Sequence, residues 1–241
     1  MNRLFFPVPG GAEHIDVTGD KLRHLYALRV KKGDCLSVAD GAGLLYEAEV
    51  EAVSKSCVTL RLGKPYAGDS EPRTRVVLYQ ALCKGDKNDL IVQKAVELGA
   101  AGVVFYHSRN CVGELSDRAQ AKLRRWSGVA ESAAEQCGRE VRPFIQYAGD
   151  FKNMLARASA AEQRLFFYEQ ATQLLSAHLS QSARPESVSV IIGSEGGFTP
   201  EEAQSAQDAG FAALSLGRRI LRAETAPLAA LSILMANYGE M

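Results

Sequence analysis

Ser189-Val190-Ile191-Ile192-Gly193-Ser194-Glu195-Gly196-Gly197-Phe198-Thr199-Pro200-Glu201-Glu202 is the stretch on which the fold turns. Its first residues have the apolar, β-branched pattern of a buried strand. The glycine-rich turn follows at once. Thr199 as N-cap, Pro200 at the first helical position and Glu202 completing a capping box then mark a helix start. Strand, turn and helix in direct succession place the turn at the carboxyl end of a strand, where open α/β sheets bind ligands. Glycines at 193, 196 and 197 remove the Cβ atoms that would keep a flat ring from the backbone. A turn of this kind alone can equally serve ordinary turn geometry. It lacks the Gly-Lys-Ser/Thr end of a P-loop and the spacing of a dinucleotide fingerprint, which disfavours an NTPase or a dehydrogenase.

Upstream of this stretch the rhythm is strand, helix, strand. Val76 to Leu82 predicts a strand, Asp86 to Leu98 a helix stopped by Gly99, and Val103 to Tyr106 a second strand. Ser116 to Cys137 predicts a long helix ended by Gly138. Further strands are expected at Phe144 to Tyr147, Leu165 to Glu169, Val188 to Ile192 and Ala213 to Leu216. This alternation is the mark of an α/β domain with a mainly parallel sheet. Before it, Cys35 to Ala39, Leu44 to Val53 and Cys57 to Leu62 read as short strands of a small β-barrel, with one helix from Asp20 to Val30. Pro65 to Pro72, rich in breakers and charge, reads as the linker.

The 241 residues carry 28 basic and 28 acidic side chains, 9 and 10 of them up to Pro72 and 19 and 18 beyond it. Neither half is basic, so nucleic-acid binding requires a local cationic surface. The cysteines at 35, 57, 83, 111 and 137 form no Cys-x-x-Cys pair, which argues against structural zinc. Their odd number and a start without an apolar h-region point to reduced thiols and a cytoplasmic protein. No apolar run approaches the roughly 20 residues of a membrane span.

A second constellation lies one helix and one strand further on: Leu214-Ser215-Leu216-Gly217-Arg218-Arg219-Ile220-Leu221-Arg222-Ala223-Glu224-Thr225-Ala226. By itself, three arginines beside a glutamate fit a solvated loop. Together, Gly193 to Phe198 and Leu216 to Ala226 resemble the two signature loops of the bacterial 16S ribosomal RNA uracil-N3 methyltransferases of the SPOUT superfamily. Lys94-Ala-Val-Glu97-Leu98-Gly99 and Glu135-Gln136-Cys137-Gly138-Arg139 match further motifs, as do His24 and Leu28-Arg29-Val30, so the resemblance spans essentially the whole chain. Ser194 departs from the family's usual proline, which bears on the stiffness of the turn.

The resemblance implies a PUA-like RNA-binding β-barrel at residues 1–70. It implies a methyltransferase domain at 73–241 of the α/β knot class, its chain end threaded into a trefoil knot, where the sequence rhythm alone gives an ordinary doubly wound sheet. It also implies a homodimer, S-adenosyl-L-methionine as cofactor, no metal and no membrane, and 16S rRNA or the small ribosomal subunit as partner. The cofactor is expected against Tyr168, Glu169, Gly193, Glu195, Gly196, Gly197, Leu216, Gly217 and Leu221. Leu216 and Leu221 fit a plain core equally well, and Glu195 either binds ribose hydroxyls or caps its loop.

Methylating uracil N3 requires loss of a proton and some means of favouring the uracil anion. Arg222 is the candidate to stabilise that charge or place a phosphate. Glu224 accepts a proton, orients Arg222 or favours the start of the last helix, with orientation preferred. For RNA, Lys21, Arg23, Arg29, Lys84, Lys87, Arg139 and Arg142 are candidate phosphate donors and His24 a stacking or hydrogen-bonding group, each also compatible with an ordinary surface role. The alternatives are a SPOUT enzyme for another rRNA or tRNA position, and a non-catalytic RNA-binding or ribosome assembly protein.

Overall fold

The computed structural model describes residues 3–112, 115 and 119–241. The chain divides into two compact units: residues up to Glu71 with Ala134–Arg142, and Pro72–Ala133 with Pro143–Met241.

The first unit contains β1 (Arg3–Phe5), β2 (His14–Val17), α1 (Gly19–Ala27), β3 (Cys35–Ala39), β4 (Leu44–Val53), β5 (Val58–Leu62) and β6 (Tyr66–Ala67). They form a mixed sheet in the order β1-β3-β4-β5-β2, with β1 parallel to β3, the other neighbours antiparallel, and β6 paired to β4. Alternate residues point inward along the strands, and Leu22 and Leu25 of α1 join Leu4, Val17, Val38, Val50 and Leu60 in the core. Helix α1 stops before Val30, where the apolar spacing would have carried it. Arg29 adopts φ 56°, and the N–H of Val30 reaches back to the carbonyl of Leu25 at 3.3 Å. This is a left-handed helix stop without the usual glycine.

The breaker-rich stretch expected as a linker is fixed in place. Besides β6, Ser70 donates from its N–H and its hydroxyl to Glu140 Oε1 at 3.0 and 2.8 Å. A Cβ on Gly68 would lie 1.9 Å from that oxygen. Segment 134–142 thus belongs to the first unit, although its place in the sequence lies inside the second.

The second unit contains β7 (Arg75–Ala81), α2 (Lys87–Glu97), β8 (Gly102–His107), most of α3 (Ala119–Cys137), β9 (Phe144–Asp150), α4 (Phe151–Ala158), β10 (Gln163–Phe167), α5 (Leu175–Leu179), β11 (Ser187–Ile192), α6 (Pro200–Asp208), β12 (Ala212–Leu214) and α7 (Thr225–Tyr238). The expected start of α3 at Ser116 lies outside the described residues. All six strands are parallel, in the order β12-β10-β11-β7-β8-β9. Strands β7, β8 and β11 are buried nearly throughout, as a sheet covered on both faces requires. On one face Tyr106, Phe166 and Phe198 pack with Met154, Ala203 and Phe211.

The helix start at Thr199 has both arms of its capping box. The Thr199 hydroxyl accepts from the Glu202 N–H at 3.2 Å, and the Glu202 carboxylate accepts from the Thr199 N–H at 3.1 Å. Glu202 also accepts from the Arg109 N–H at 2.9 Å, so the cap joins two loops. Thr199→Ala is expected to lower stability by about 1 kcal/mol in urea titration, through loss of a helix cap.

Candidate active site

Three loops leave the carboxyl ends of β10, β11 and β12, and together they wall a cleft of about 620 Å³ in the second unit. All nine residues expected to hold the cofactor line it, and Arg222 and Lys87 do as well. The volume lies in the range of small-molecule sites.

The glycines of the β11 loop serve their protein neighbours directly. A Cβ at Gly193 would lie 2.9 Å from the Phe198 ring, and one at Gly196 would lie 2.7 Å from the Asn110 carbonyl oxygen. Gly197 has φ 62°, and a Cβ there would meet Glu169 Oε1 at 2.9 Å. The turn is therefore tight against its own support, with its backbone forming the cleft wall. Asn110 completes that support, donating from Nδ2 to the Gly196 carbonyl at 3.0 Å. Ser194, where the resembling family has proline, is buried, with its hydroxyl 3.5 Å from the Asn110 carbonyl oxygen. Nothing in the sequence marks Asn110 for this work, since it lies in a different loop and matches no motif.

The charged residues of the cleft sort by partner. Glu195 Oε1 accepts from the Lys84 N–H at 3.2 Å and from Lys87 Nζ at 2.9 Å. Burial raises its carboxyl pKa, but these donors and the lysine charge outweigh that and leave it below the usual glutamate value. Of its two expected roles, tying the loop is the one with contacts. Glu224 is the N-cap residue of α7 but makes no side-chain cap, and its Oε2 lies 3.3 Å from Lys87 Nζ. The preferred pairing with Arg222 is therefore replaced by one with Lys87. Arg218, Arg219 and Arg222 are exposed and carry no ion pair among the described residues. Leu216 and Leu221 are half-buried along the wall, which suits an apolar ligand face more than a sealed core.

The fit to S-adenosylmethionine rests on these features. The cleft offers exposed backbone at Gly193, Gly196, Gly197 and Gly217 and apolar walls at Phe167, Leu216 and Leu221. Glu169 is a carboxylate without an ion pair among the described residues, positioned to accept hydrogen bonds from hydroxyl or ammonium groups.

Cys83 is buried behind the site at the end of β7, and burial, with Glu195 adding to it, pushes its thiol up to about 12. Cys35 and Cys137 are exposed. Alkylation of the native protein followed by mass spectrometry is expected to label those two and spare Cys83, because the thiolate is the reactive form.

The residues proposed for RNA contact separate into two groups. Arg23, His24, Arg29, Arg142 and Lys84 are exposed, with Arg23 paired to Asp20 and the Arg142 guanidinium 5.5 Å from the centre of the Phe5 ring. Lys21, Lys87 and Arg139 are committed elsewhere. Lys21 meets buried Glu135 at 2.5 Å, Lys87 spans two carboxylates, and Arg139 is 4% exposed with Glu71 at 2.6 Å. All three are held by protein carboxylates, and buried Arg139 depends on its partner most, since a desolvated cation is costly unpaired. Two of the recognised motifs are thereby structural: Glu135 to Arg139 fastens the first unit, and Lys94 to Gly99 supplies an i,i+3 ion pair of 2.8 Å and a helix stop with φ 85° at Gly99.

An RNA methyltransferase domain matches residues 70–235, the stretch containing every strand of the parallel sheet. Ribosomal RNA small subunit methyltransferase E of Bacillus subtilis is 31% identical over 228 residues, covering 92% of this chain and 89% of that protein. The chain belongs to the small subunit methyltransferase E family. A member from Neisseria gonorrhoeae, solved bound to S-adenosyl methionine, superposes with a TM-score of 0.89 at 29% identity, over 98% of this chain and 97% of its own. A Legionella pneumophila protein solved with its bound cofactor SAM gives 0.88 at 28% identity, over 97% and 96%. Both likenesses cover the two units, so family membership rests on more than the methyltransferase loops.

Proposed function

We propose that this protein transfers a methyl group from S-adenosylmethionine to N3 of a specific uridine in 16S rRNA of the small subunit. The single observation that carries the reading is the cleft at the ends of β10, β11 and β12, lined by the glycine-built β11 loop and by Arg222, which has no ion pair among the described residues.

The cofactor, when bound, supplies a methyl group on a sulfonium, an electrophile that needs no metal to react with a ring nitrogen. The β11 loop, pressed against Asn110 and Phe198, presents backbone at a fixed position and excludes water from that wall. Arg222, which lines the cleft, supplies a guanidinium to stabilise the charge that gathers on the carbonyl oxygens as uracil N3 loses its proton. Glu224, paired with Lys87, orients the turn that carries Arg222.

The first unit is proposed as the RNA-binding, PUA-like barrel, with Arg23, His24, Arg29 and Arg142 as its contacts; Lys84 is proposed as an RNA contact of the second unit by itself. A trefoil knot in the second unit, a homodimer and a cytoplasmic setting complete the reading. They are supported by likeness to the cofactor-bound relatives over nearly the whole chain. No described helix is long and apolar enough to cross a membrane.

Incubating the protein with labelled S-adenosylmethionine and small subunits lacking the modification, then mapping the methylated nucleotide, tests the assignment. The expected product is a single N3-methyluridine in 16S rRNA. Methylation at another rRNA position or in tRNA would replace the target. Absence of cofactor binding in calorimetry would favour an assembly protein without chemistry.

A further inference from the structure

Lys87 breaks a local rule. It is the first residue of α2, where free N–H groups make the potential positive and acidic side chains are favoured. Asp86 before it provides no side-chain cap. The cation is held there by Glu195 of the β11 loop at 2.9 Å and by Glu224, where the β12 loop enters α7, at 3.3 Å. These carboxylates are not equally supported. Glu195 has the Lys84 N–H as a second donor, whereas Glu224 Oε2 is buried and has no hydrogen bond among the described residues. The ammonium is thus the charge that compensates Glu224. Arg222 is tied to the same turn, because its carbonyl accepts from the N–H groups of Thr225 and Ala226 at 2.8 and 3.0 Å.

We propose that Lys87 is a positioning residue for methyl transfer, pinning the cofactor-side loop through Glu195 to the base-side turn through Glu224, and so setting the distance across which the methyl group moves. The inference rests on the reading of the Arg222 turn as the wall that meets the base. Small misplacements across such a gap are costly, since reaction requires the partners about 3–3.5 Å apart and aligned. Without the ammonium, Glu224 has no partner among the described residues for its buried Oε2, and the turn that carries Arg222 loses its tie to the β11 loop. The other ionisable groups around it are Cys83 at the end of β7, Glu195 after β11 and Arg222 on its own turn. None of these replaces the lost cation, because Arg222 faces the cleft and the other two are acids.

The test uses the full chain as Lys87→Met and Lys87→Arg, with calorimetric S-adenosylmethionine affinity and kcat on unmodified small subunits. For Lys87→Met, kcat is expected to fall about tenfold to a hundredfold, with cofactor affinity changed by no more than about threefold, because Glu195 keeps its backbone donor. Lys87→Arg recovers most of kcat, since a guanidinium can face two carboxylates.

A Lys87→Met enzyme with the parent's kcat, or with loss confined to cofactor affinity, overturns the proposal. If that variant does not fold, Lys87→Met combined with Glu224→Gln removes the stranded charge and is expected to fold while kcat stays low; full recovery of kcat overturns the proposal equally. Arg222→Ala measured in parallel separates the two readings. Normal turnover there removes the base-side assignment itself, whereas an inactive Arg222→Ala beside a normal Lys87→Met removes only the positioning role.

Discussion

Arg222→Ala is expected to reduce kcat about 10²- to 10³-fold, the usual loss when one preorganised donor to a developing anion is removed. Cofactor affinity should stay close to the parent value, because the glycine wall and the Glu195 tie do not depend on Arg222. The physical ground is that this guanidinium is one of three in its loop without an ion pair among the described residues. Its charge is therefore not already spent on a protein carboxylate. Arg222→Lys should fall between parent and alanine, since a point charge remains but the fork geometry is lost. Single-turnover kinetics on unmodified small subunits, with calorimetry for the cofactor, separate the two effects. Loss of affinity with unchanged kcat would assign Arg222 to cofactor binding instead.

Glu71→Ala is the largest expected change in stability, about 3 kcal/mol by urea denaturation, from breaking a buried ion pair. Its carboxylate takes Arg139 at 2.6 and 3.2 Å and the N–H groups of Glu140 and Val141 at 3.0 and 3.1 Å. The Arg139 side chain is 5% exposed, so deleting the acid takes a carboxylate partner from a buried cation. Replacing both partners with apolar residues should cost less than the single change. Burial raises the Glu71 pKa, but Arg139 and the two amides more than offset this and hold it below the ordinary 4.5. The contribution of a carboxyl so depressed is full above its unfolded pKa and fades as pH falls through the folded one. Parent and Glu71→Gln should accordingly converge in thermal midpoint as the solution is acidified below the usual carboxylate range.

The parts of the fold legible in the sequence were those governed by neighbours along the chain. The limits of β3 and β4 follow from alternation and turn residues, and the start of α6 from a capping box contained within four residues. The chain gave weaker signals where distant groups decide. Tyr66 and Ala67 pair with β4 inside a stretch whose prolines and glycine read as a linker. Helix α4 is absent from the elements expected from the sequence, although Gly149 at φ 82° and Asp150, which caps the helix by accepting from the Asn153 N–H at 2.8 Å, mark its start.

The site shows the same division. Glycines and apolar walls were legible from the two signature loops. The partners of Lys87, Glu224 and Arg139 were not, since a lysine or arginine looks alike in sequence whether it meets phosphate or a protein carboxylate. Resemblance to a family located the important residues without distinguishing chemistry from architecture. Glu135 and Arg139 are the clearest example, lying in a recognised motif yet working as fasteners.

The return of segment 134–142 to the first unit has a consequence for synthesis. Phe5, Lys21 and Glu71 find their partners Glu135 and Arg139 only after those later residues have left the exit tunnel. Vectorial folding of this chain therefore cannot finish its first-made portion first. That portion waits, with its contacts to Glu135 and Arg139 unmade, until translation has passed residue 142, and a genetic cut after residue 71 would leave it waiting permanently.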